Sequence, residues 1–333
     1  MGCLAGASYV GPDRVRSLLP SFYSEQSFMN RICDKRLRGK VTMGNHYKEL
    51  VIIELDRLSS LGWKDWKMDS QLVKSSPSVQ PSAVSFPSNW YNPKAMNSEA
   101  EGFWAEVRAE MIHRILQKNH TKIIWEVGAG NGNVAIPLRK AGIAVIGIEP
   151  LRTGAESMAN CGFTTYWGTL EDLAFPDGSI DAVGIFDVLE HLERPELVMI
   201  EIQRVLKHGG LLVTTVPAHQ WLFSDFDLSI GHFRRYSRKS LNELLTKSGF
   251  TQNKIQALFL GLVLPAFILR TLPHKLGRKK KFESQVKSNG RYKRTRSLLQ
   301  ILLKRIFILE RKLPLPIGLS LISYSYKSGS KRE

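Results

Sequence analysis

The stretch Ile123-Ile-Trp-Glu-Val-Gly-Ala-Gly-Asn-Gly-Asn133 limits this chain of 333 residues more than any other. A β-type run, Ile123 to Val127, breaks at Gly128, glycines recur at Gly130 and Gly132, and the segment that follows can be helical up to Ala141. Strand, glycine turn and helix in that order open a nucleotide-binding α/β unit. The glycines let backbone N–H groups approach a ligand where a Cβ would collide. A dinucleotide fits poorly, because the third glycine of its fingerprint falls on Asn133 and an acid, Glu126, precedes the first glycine by two. A carboxylate under the loop suits a ligand with a cationic amine and repels a pyrophosphate. A second acid, Glu149, ends the next strand-like run, where a carboxylate can accept both ribose hydroxyls; dinucleotide sites share that feature.

The rest of the chain has the punctuation of an α/β sheet. Ser98-Glu-Ala-Glu101 is a capping-box pattern, followed by an apolar stripe at helical spacing through Trp104, Val107, Met111, Ile115 and Leu116. Phe103 and Trp104 read as core or as the lid of a ligand pocket. Strand-like runs recur at 143–148, 180–186 and 211–216, with a helix from Pro195 to about Lys207 that stops at Gly209-Gly210. A second capped helix is expected from Ser237 to Ser248, ahead of Gly249. This alternation predicts a parallel sheet covered on both faces, with residues 255–260 and 320–326 able to add a final antiparallel pair. Residues 1–97 read as a poorly ordered extension. It holds one helix-like piece, Tyr47 to Leu61, with Leu50, Ile53 or Glu54, Leu58 and Leu61 on one side, and then a Pro/Ser-rich linker.

Charge is concentrated. The chain carries a formal net charge of +17, and between Arg270 and Lys312 fifteen Lys/Arg face two acids, a local balance of +13. That segment points to an anionic surface, lipid head groups or nucleic acid. The three cysteines, Cys3, Cys33 and Cys161, are dispersed. They give neither a disulfide framework nor zinc spacing, so a reducing compartment and no metal are expected. The N-terminus lacks a basic region followed by an apolar run, so no signal peptide is expected.

These blocks together resemble the class I S-adenosylmethionine-dependent methyltransferases. The match runs through Trp125-Glu-Val-Gly-Ala-Gly-Asn-Gly132, Gly147-Ile-Glu149, Gly168-Thr-Leu-Glu-Asp-Leu-Ala-Phe-Pro-Asp177, Phe186-Asp-Val-Leu-Glu-His191 and Arg204-Val-Leu-Lys-His-Gly-Gly210. The resemblance implies a Rossmann-like, doubly wound, seven-stranded and mostly parallel sheet with helices on both faces over residues 98–330, with an insertion at about 261–313 before the last strand. The implied cofactor is S-adenosyl-L-methionine. Glu126, Gly128, Gly130 and Gly132 would hold its methionine part, Glu149 the ribose, and Leu170 and Glu171 the adenine. Phe186 and Asp187 would face the sulfonium and the methyl acceptor, although Phe186 reads equally as core. Glu190-His191 reads as a helix-start pair, although in some relatives an acid and a histidine at this position serve a metal or the methyl acceptor.

Methyl transfer from a sulfonium is an in-line displacement that gains chiefly from positioning, with a base needed where the methyl acceptor is a hydroxyl. Neutral histidines suit that role, and His191, His219 and His232 are the candidates, with Asp187 beside them. The stretch Trp221 to Ser237 follows the strand ending at Pro217, where an α/β site receives its second substrate. It resembles a subgroup of these enzymes associated with lipid-linked or cell-surface glycan assembly. On that resemblance Asp227, His232, Arg234, Arg235 and Tyr236 bind the methyl acceptor, the arginines gripping a phosphate or carboxylate. Paired with nearby acids, those arginines would be structural instead.

Residues 257–269 are uncharged but too few to span a bilayer. Beyond them, residues 297–311 read as an amphipathic helix, its polar stripe of Ser297, Gln300, Lys304 and Arg311 opposing Leu298, Leu299, Ile301, Leu302, Ile306 and Leu309. This is a helix for a membrane interface or for packing on the sheet. The expected protein is a cytoplasmic, peripheral-membrane methyltransferase acting on a small-molecule or lipid-linked acceptor. The rivals are an RNA methyltransferase and a silent cofactor-binding subunit. Phe282, Tyr292 and Phe307 are too few to make a stacking platform, so nucleic acid is not the expected partner.

Overall fold

The computed structural model describes residues 53, 54, 57, 60, 72–74, 103–277, 305, 307, 310 and 315–328. Helix α1 (Phe103–Lys118) buries Val107, Met111 and Leu116 of the expected stripe and adds Ile112, while Trp104 and Ile115 are half-buried; the cap expected at Ser98 lies outside the described residues. The sheet begins in sequence with β1 (Leu72–Lys74) and is centred on β2 (Ile123–Val127). On one side of β2 stand β3 (Ala144–Glu149), β4 (Thr164–Trp167) and, at the edge, β1. On the other stand β5 (Ile180–Phe186), β6 (Leu206–Pro217), β8 (Ser320–Lys327) and β7 (Phe250–Leu258). All pairs are parallel except those of β8, which runs antiparallel to β6 and β7. The expected antiparallel pair is therefore present, and the sheet has eight strands because Leu72–Lys74 adds to the β4 edge.

Alternation along β2 feeds two cores. Trp125 and Val127 join Tyr166, Phe175 and Ile185 on one face, while Ile124 joins Ile112, Leu138 and Phe163 on the other. Helices α2 (Ala135–Lys140), α3 (Arg152–Asn160), α4 (Pro195–Val205), α5 (Asp225–Ser229) and α6 (Arg238–Lys247) connect the strands. Ser237 caps α6 and Gly249 follows it in the left-handed region, as their residue types predict. Helix α4 ends at Val205 instead of Lys207, because β6 takes up Leu206 against Ile180 and carries Gly209-Gly210 within an irregular stretch. The chain leaves β2 toward β3 and β4, then returns to build β5 on the opposite side. The crevice outside the carboxyl ends of β2 and β5 is thus the topological switch point, where open α/β sheets bind ligands.

Part of the first 97 residues is tied to this core. Ile53 is exposed while Glu54 is buried, so of the two it is the acid that turns inward. Glu54 accepts the Trp125 indole N–H at 3.4 Å and pairs with Arg57, which also donates to the carbonyl of Ser179. In the segment expected to be an insertion, three helical pieces follow in direct succession: Val263–Ala266, a π turn at Phe267–Thr271, and Leu272–Lys275. Phe307 packs its ring against Phe259 at 5.2 Å, and Glu310 accepts the N–H groups of Leu260 and Gly261. These two positions of the expected amphipathic helix therefore pack on the fold; Ser297, Gln300, Lys304, Arg311 and the apolar stripe opposite them lie outside the described residues.

Candidate functional site

The glycine turn is built by close approach. Gly128 and Ala129 donate to the carbonyl of Ile148 at 2.8 and 3.1 Å, folding the loop back over β3. Gly128 has a φ of +72°, and a Cβ there would stand 2.5 Å from Val188 Cγ2; Gly132 has a φ of +74° with Met158 Sδ at 3.0 Å from such a Cβ. We expect Gly128→Ala to cost about 2 kcal/mol or more, the left-handed strain and the clash adding, and to lower Tm by about 5 °C. A thermal scan beside cofactor titration checks this; an unchanged Tm would show that the loop yields freely.

Two buried acids face this turn. Glu149 closes it from below, accepting Gly130 N–H at 2.7 Å through Oε2 and Leu151 N–H at 2.8 Å through Oε1. Burial pushes its carboxyl up to about 7, against the pull of those two bonds. Glu126, only 3% exposed, is pushed up to about 8 by burial, opposed by the charge of Arg108 and reinforced by that of Glu149. Its Oε2 has no hydrogen-bond partner. An orphaned buried carboxylate is costly unless a cation completes it.

Arg108, on α1, supplies the opposite charge. It is buried, its Nε has no partner, and its guanidinium pairs with Asp187 while coupling to Glu126 and Glu190. A buried cation beside an orphaned carboxylate is complementary to the zwitterion of an amino acid. This residue was missed in the sequence because its partners lie far along the chain. The pocket therefore fits S-adenosyl-L-methionine: Glu126 for the ammonium, Arg108 for the carboxylate, and Glu149 for the ribose.

Other expected contacts are placed differently. The Phe186 ring turns back over Gly184 into the core, where a Cβ on Gly184 would stand 2.5 Å from it. Leu170 is buried in the other core and Glu171 is exposed, while Asp172 closes the turn by accepting Thr169 N–H at 3.1 Å. Leu170 thus has only its backbone left for a ligand. Asp187 stands at a φ of +53°, a strained conformation of the kind that collects at functional sites. It accepts Thr215 Oγ1–H at 3.0 Å in addition to Arg108.

The 3₁₀ turn Leu189–His191 and the loop 231–236 are clamped together. Phe233 N–H donates to Glu190 O at 2.8 Å, His191 Nδ1 meets Gly231 O at 3.3 Å, Tyr236 O–H donates to Leu189 O at 3.1 Å, and Arg234 reaches Glu193 O at 2.7 Å. On α5, Asp227 is fully buried and accepts His232 Nδ1 at 3.0 Å, Arg235 Nε at 2.7 Å, and both Ser224 donors. Burial alone would raise the Asp227 carboxyl, but the bonds from His232 and Arg235 outweigh it and hold the group below its ordinary value. Of the residues expected to grip the methyl acceptor, Asp227 and Arg235 are instead paired with each other inside the protein. Asp227, fixed by Arg235, holds the His232 ring, while Tyr236 ties the segment to Leu189 and Arg234 places one donor on Glu193 O. His191 and His232 meet edge to face at 4.6 Å between ring centres. His219 lies apart beside Trp221, its Nε2 buried and its pKa lowered first by burial, then by Arg238 and Arg235.

A family model described as "Methyltransferase domain" matches residues 125–214. A Mycolicibacterium smegmatis protein named "Probable S-adenosylmethionine-dependent methyltransferase" is 29% identical over 166 residues, 48% of this chain and 64% of that one. A Mycobacterium tuberculosis protein of the same description is 26% identical over 168 residues, 49% of this chain and 61% of that one. The chain thus matches less than two thirds of the length of these curated relatives. The solved structure of a SAM-dependent methyltransferase from Thermotoga maritima superposes with a TM-score of 0.44 at 19% identity, over 72% of this chain and 93% of that one. The domain matched at residues 125–214, its glycine loop and its two buried acids together support a class I S-adenosylmethionine-dependent methyltransferase.

Proposed function

We propose that this protein methylates an amphiphilic acceptor, of lipid-linked or related type, at an anionic membrane surface. The observation that carries this reading is one exposed apolar helix face beside the site. On the 263–275 helix and the residue after it, Leu264, Ile268, Leu269, Leu272 and Leu276 are exposed, Leu264 by 65% and Leu269 and Leu276 by 62% each. The opposite side packs on the loop that holds His232: Thr271 Oγ1–H donates to Leu222 O at 3.0 Å, His274 meets Asp225 at 2.9 Å, and Arg270 lies 4.0 Å over the Phe226 ring. That loop itself exposes Trp221, Leu228 and Phe233. An apolar face followed by Arg278-Lys-Lys-Lys281 is the make-up of a helix lying in a lipid interface. No helix among the described residues is long and apolar enough to cross a membrane.

Bound in the pocket, S-adenosylmethionine supplies a methyl group activated by its sulfonium. Glu126, Arg108 and Glu149 hold and orient it, and the Asp187 strand end, backed by Arg108 and Thr215, faces the methyl acceptor. Glu190, His191 and His232 form the far side, and all three offer acceptor atoms. Such a wall orients a nucleophile that carries a proton, so a hydroxyl is the favoured methyl acceptor.

Wild-type protein is expected to sediment with vesicles containing anionic lipid at low salt, and less so as salt rises. Leu269→Glu with Leu276→Glu should weaken this at least about tenfold, since each leucine contributes about 1.5–3 kcal/mol when buried. Cofactor binding should be kept. Failure of the wild-type protein to sediment at low salt would overturn the membrane reading.

A further inference from the structure

Glu190, His191 and His232 are brought together from two segments, His191 lying 40 positions before Gly231, whose carbonyl holds the His191 ring. We propose that these three side chains form a site for one divalent metal ion of the zinc class, with an open coordination position toward the methyl acceptor. Each offers one ligand atom, and the three atoms lie within 4.8 Å of one another.

The hydrogen bonds around the trio set its chemistry. His232 Nδ1 faces the Asp227 carboxylate, and His191 Nδ1 faces the Gly231 carbonyl. Both partners can only accept, so each ring donates from Nδ1, and a neutral ring then has its lone pair on Nε2. This is how metal-binding histidines are oriented by a carboxylate or carbonyl behind them. Glu190 is 1% exposed, its Oε2 has no hydrogen-bond partner, and its Oε1 stands 3.8 Å from His232 Nε2, beyond hydrogen-bond reach. A buried carboxylate among imidazole lone pairs is the environment a cation resolves.

Two imidazoles and one carboxylate are the three-ligand set of catalytic zinc, which leaves a fourth position open. With bonds of about 2.0–2.1 Å, neighbouring ligand atoms of a tetrahedral ion stand roughly 3.4 Å apart, so the widest pair here would draw in by roughly 1.4 Å. A hydroxyl seated at the open position would be acidified by the ion and release its proton to solvent, leaving an alkoxide on the metal. That last role, unlike the binding itself, rests on the reading of the methyl acceptor given above.

The test is titration of chelator-stripped full-length protein with Co(II), followed by displacement with Zn(II), in the absence of cofactor and methyl acceptor. It therefore reads metal binding separately from methyl transfer. We expect saturable binding of one equivalent with a ligand-field absorption band, at least about a hundredfold weaker in Glu190→Gln and in His191→Ala. S-adenosylmethionine binding by both variants verifies that they are folded. No saturable band in the wild-type protein would overturn the proposal, and so would an equal band in two folded variants. Should both variants unfold, the wild-type stoichiometry decides alone.

Discussion

Calorimetric titration with S-adenosylmethionine is expected to show Glu126→Gln binding at least about thirtyfold more weakly than the wild-type protein, a loss of about 2 kcal/mol. Glutamine keeps the shape of the side chain but removes the charge that would pair with the cofactor's ammonium. The same substitution has an opposite effect on the apoprotein. Burial holds the Glu126 carboxyl at about 8 against an ordinary 4.5, so folding favours its protonated form. Its contribution to stability is full below about pH 4.5 and is lost as pH rises through about 8. Apo Glu126→Gln should therefore be more stable than apo wild type above pH 8, with a flatter decline of Tm over the range below it. Glu149, raised to about 7, remains in the variant, so part of the decline persists. Weaker cofactor binding with higher apo stability distinguishes a ligand group from a structural one; unchanged affinity would remove Glu126 from the cofactor site.

Denaturant unfolding is expected to separate the two adjacent arginines. Arg235→Ala strands the fully buried Asp227 carboxylate with only His232 and Ser224, and should cost about 3–5 kcal/mol, a large share of a typical domain's 5–15 kcal/mol. Arg234→Ala loses one hydrogen bond to the Glu193 carbonyl and should cost about 1 kcal/mol or less. Had both arginines gripped the methyl acceptor, both variants would keep their stability and lose affinity for it instead. An Arg235→Ala protein as stable as the wild type would return Arg235 to the substrate side.

Local features of the chain were legible because they depend on neighbours in sequence. Gly128, Gly130 and Gly132 mark the turn, Glu126 stands two residues before it, and Glu149 ends the next strand, so the cofactor pocket could be read from residue type and spacing. Groups whose meaning depends on distant partners could not. Arg108 sits within an amphipathic helix, and only the fold sets it against Glu126 and Asp187. For Asp227, His232, Arg235 and Tyr236, a linear reading cannot say that Arg235 turns inward to Asp227 while His232 turns toward Glu190. Phe186 shows the same limit for an apolar residue, since a ring at a strand end can cover a ligand or fold over a glycine. Leu72–Lys74 is too short a run to stand out, and it becomes a strand only because β4 offers an unpaired edge.

Methyl transfer to an amphiphile is most directly measured by the fate of label. Wild-type protein is incubated with methyl-labelled S-adenosylmethionine and separate lipid and aqueous cell extracts. Label is expected to enter a component of the lipid fraction, and to be lost in Glu126→Gln. Label confined to a water-soluble small molecule or to RNA, with none in the lipid fraction, would contradict the account.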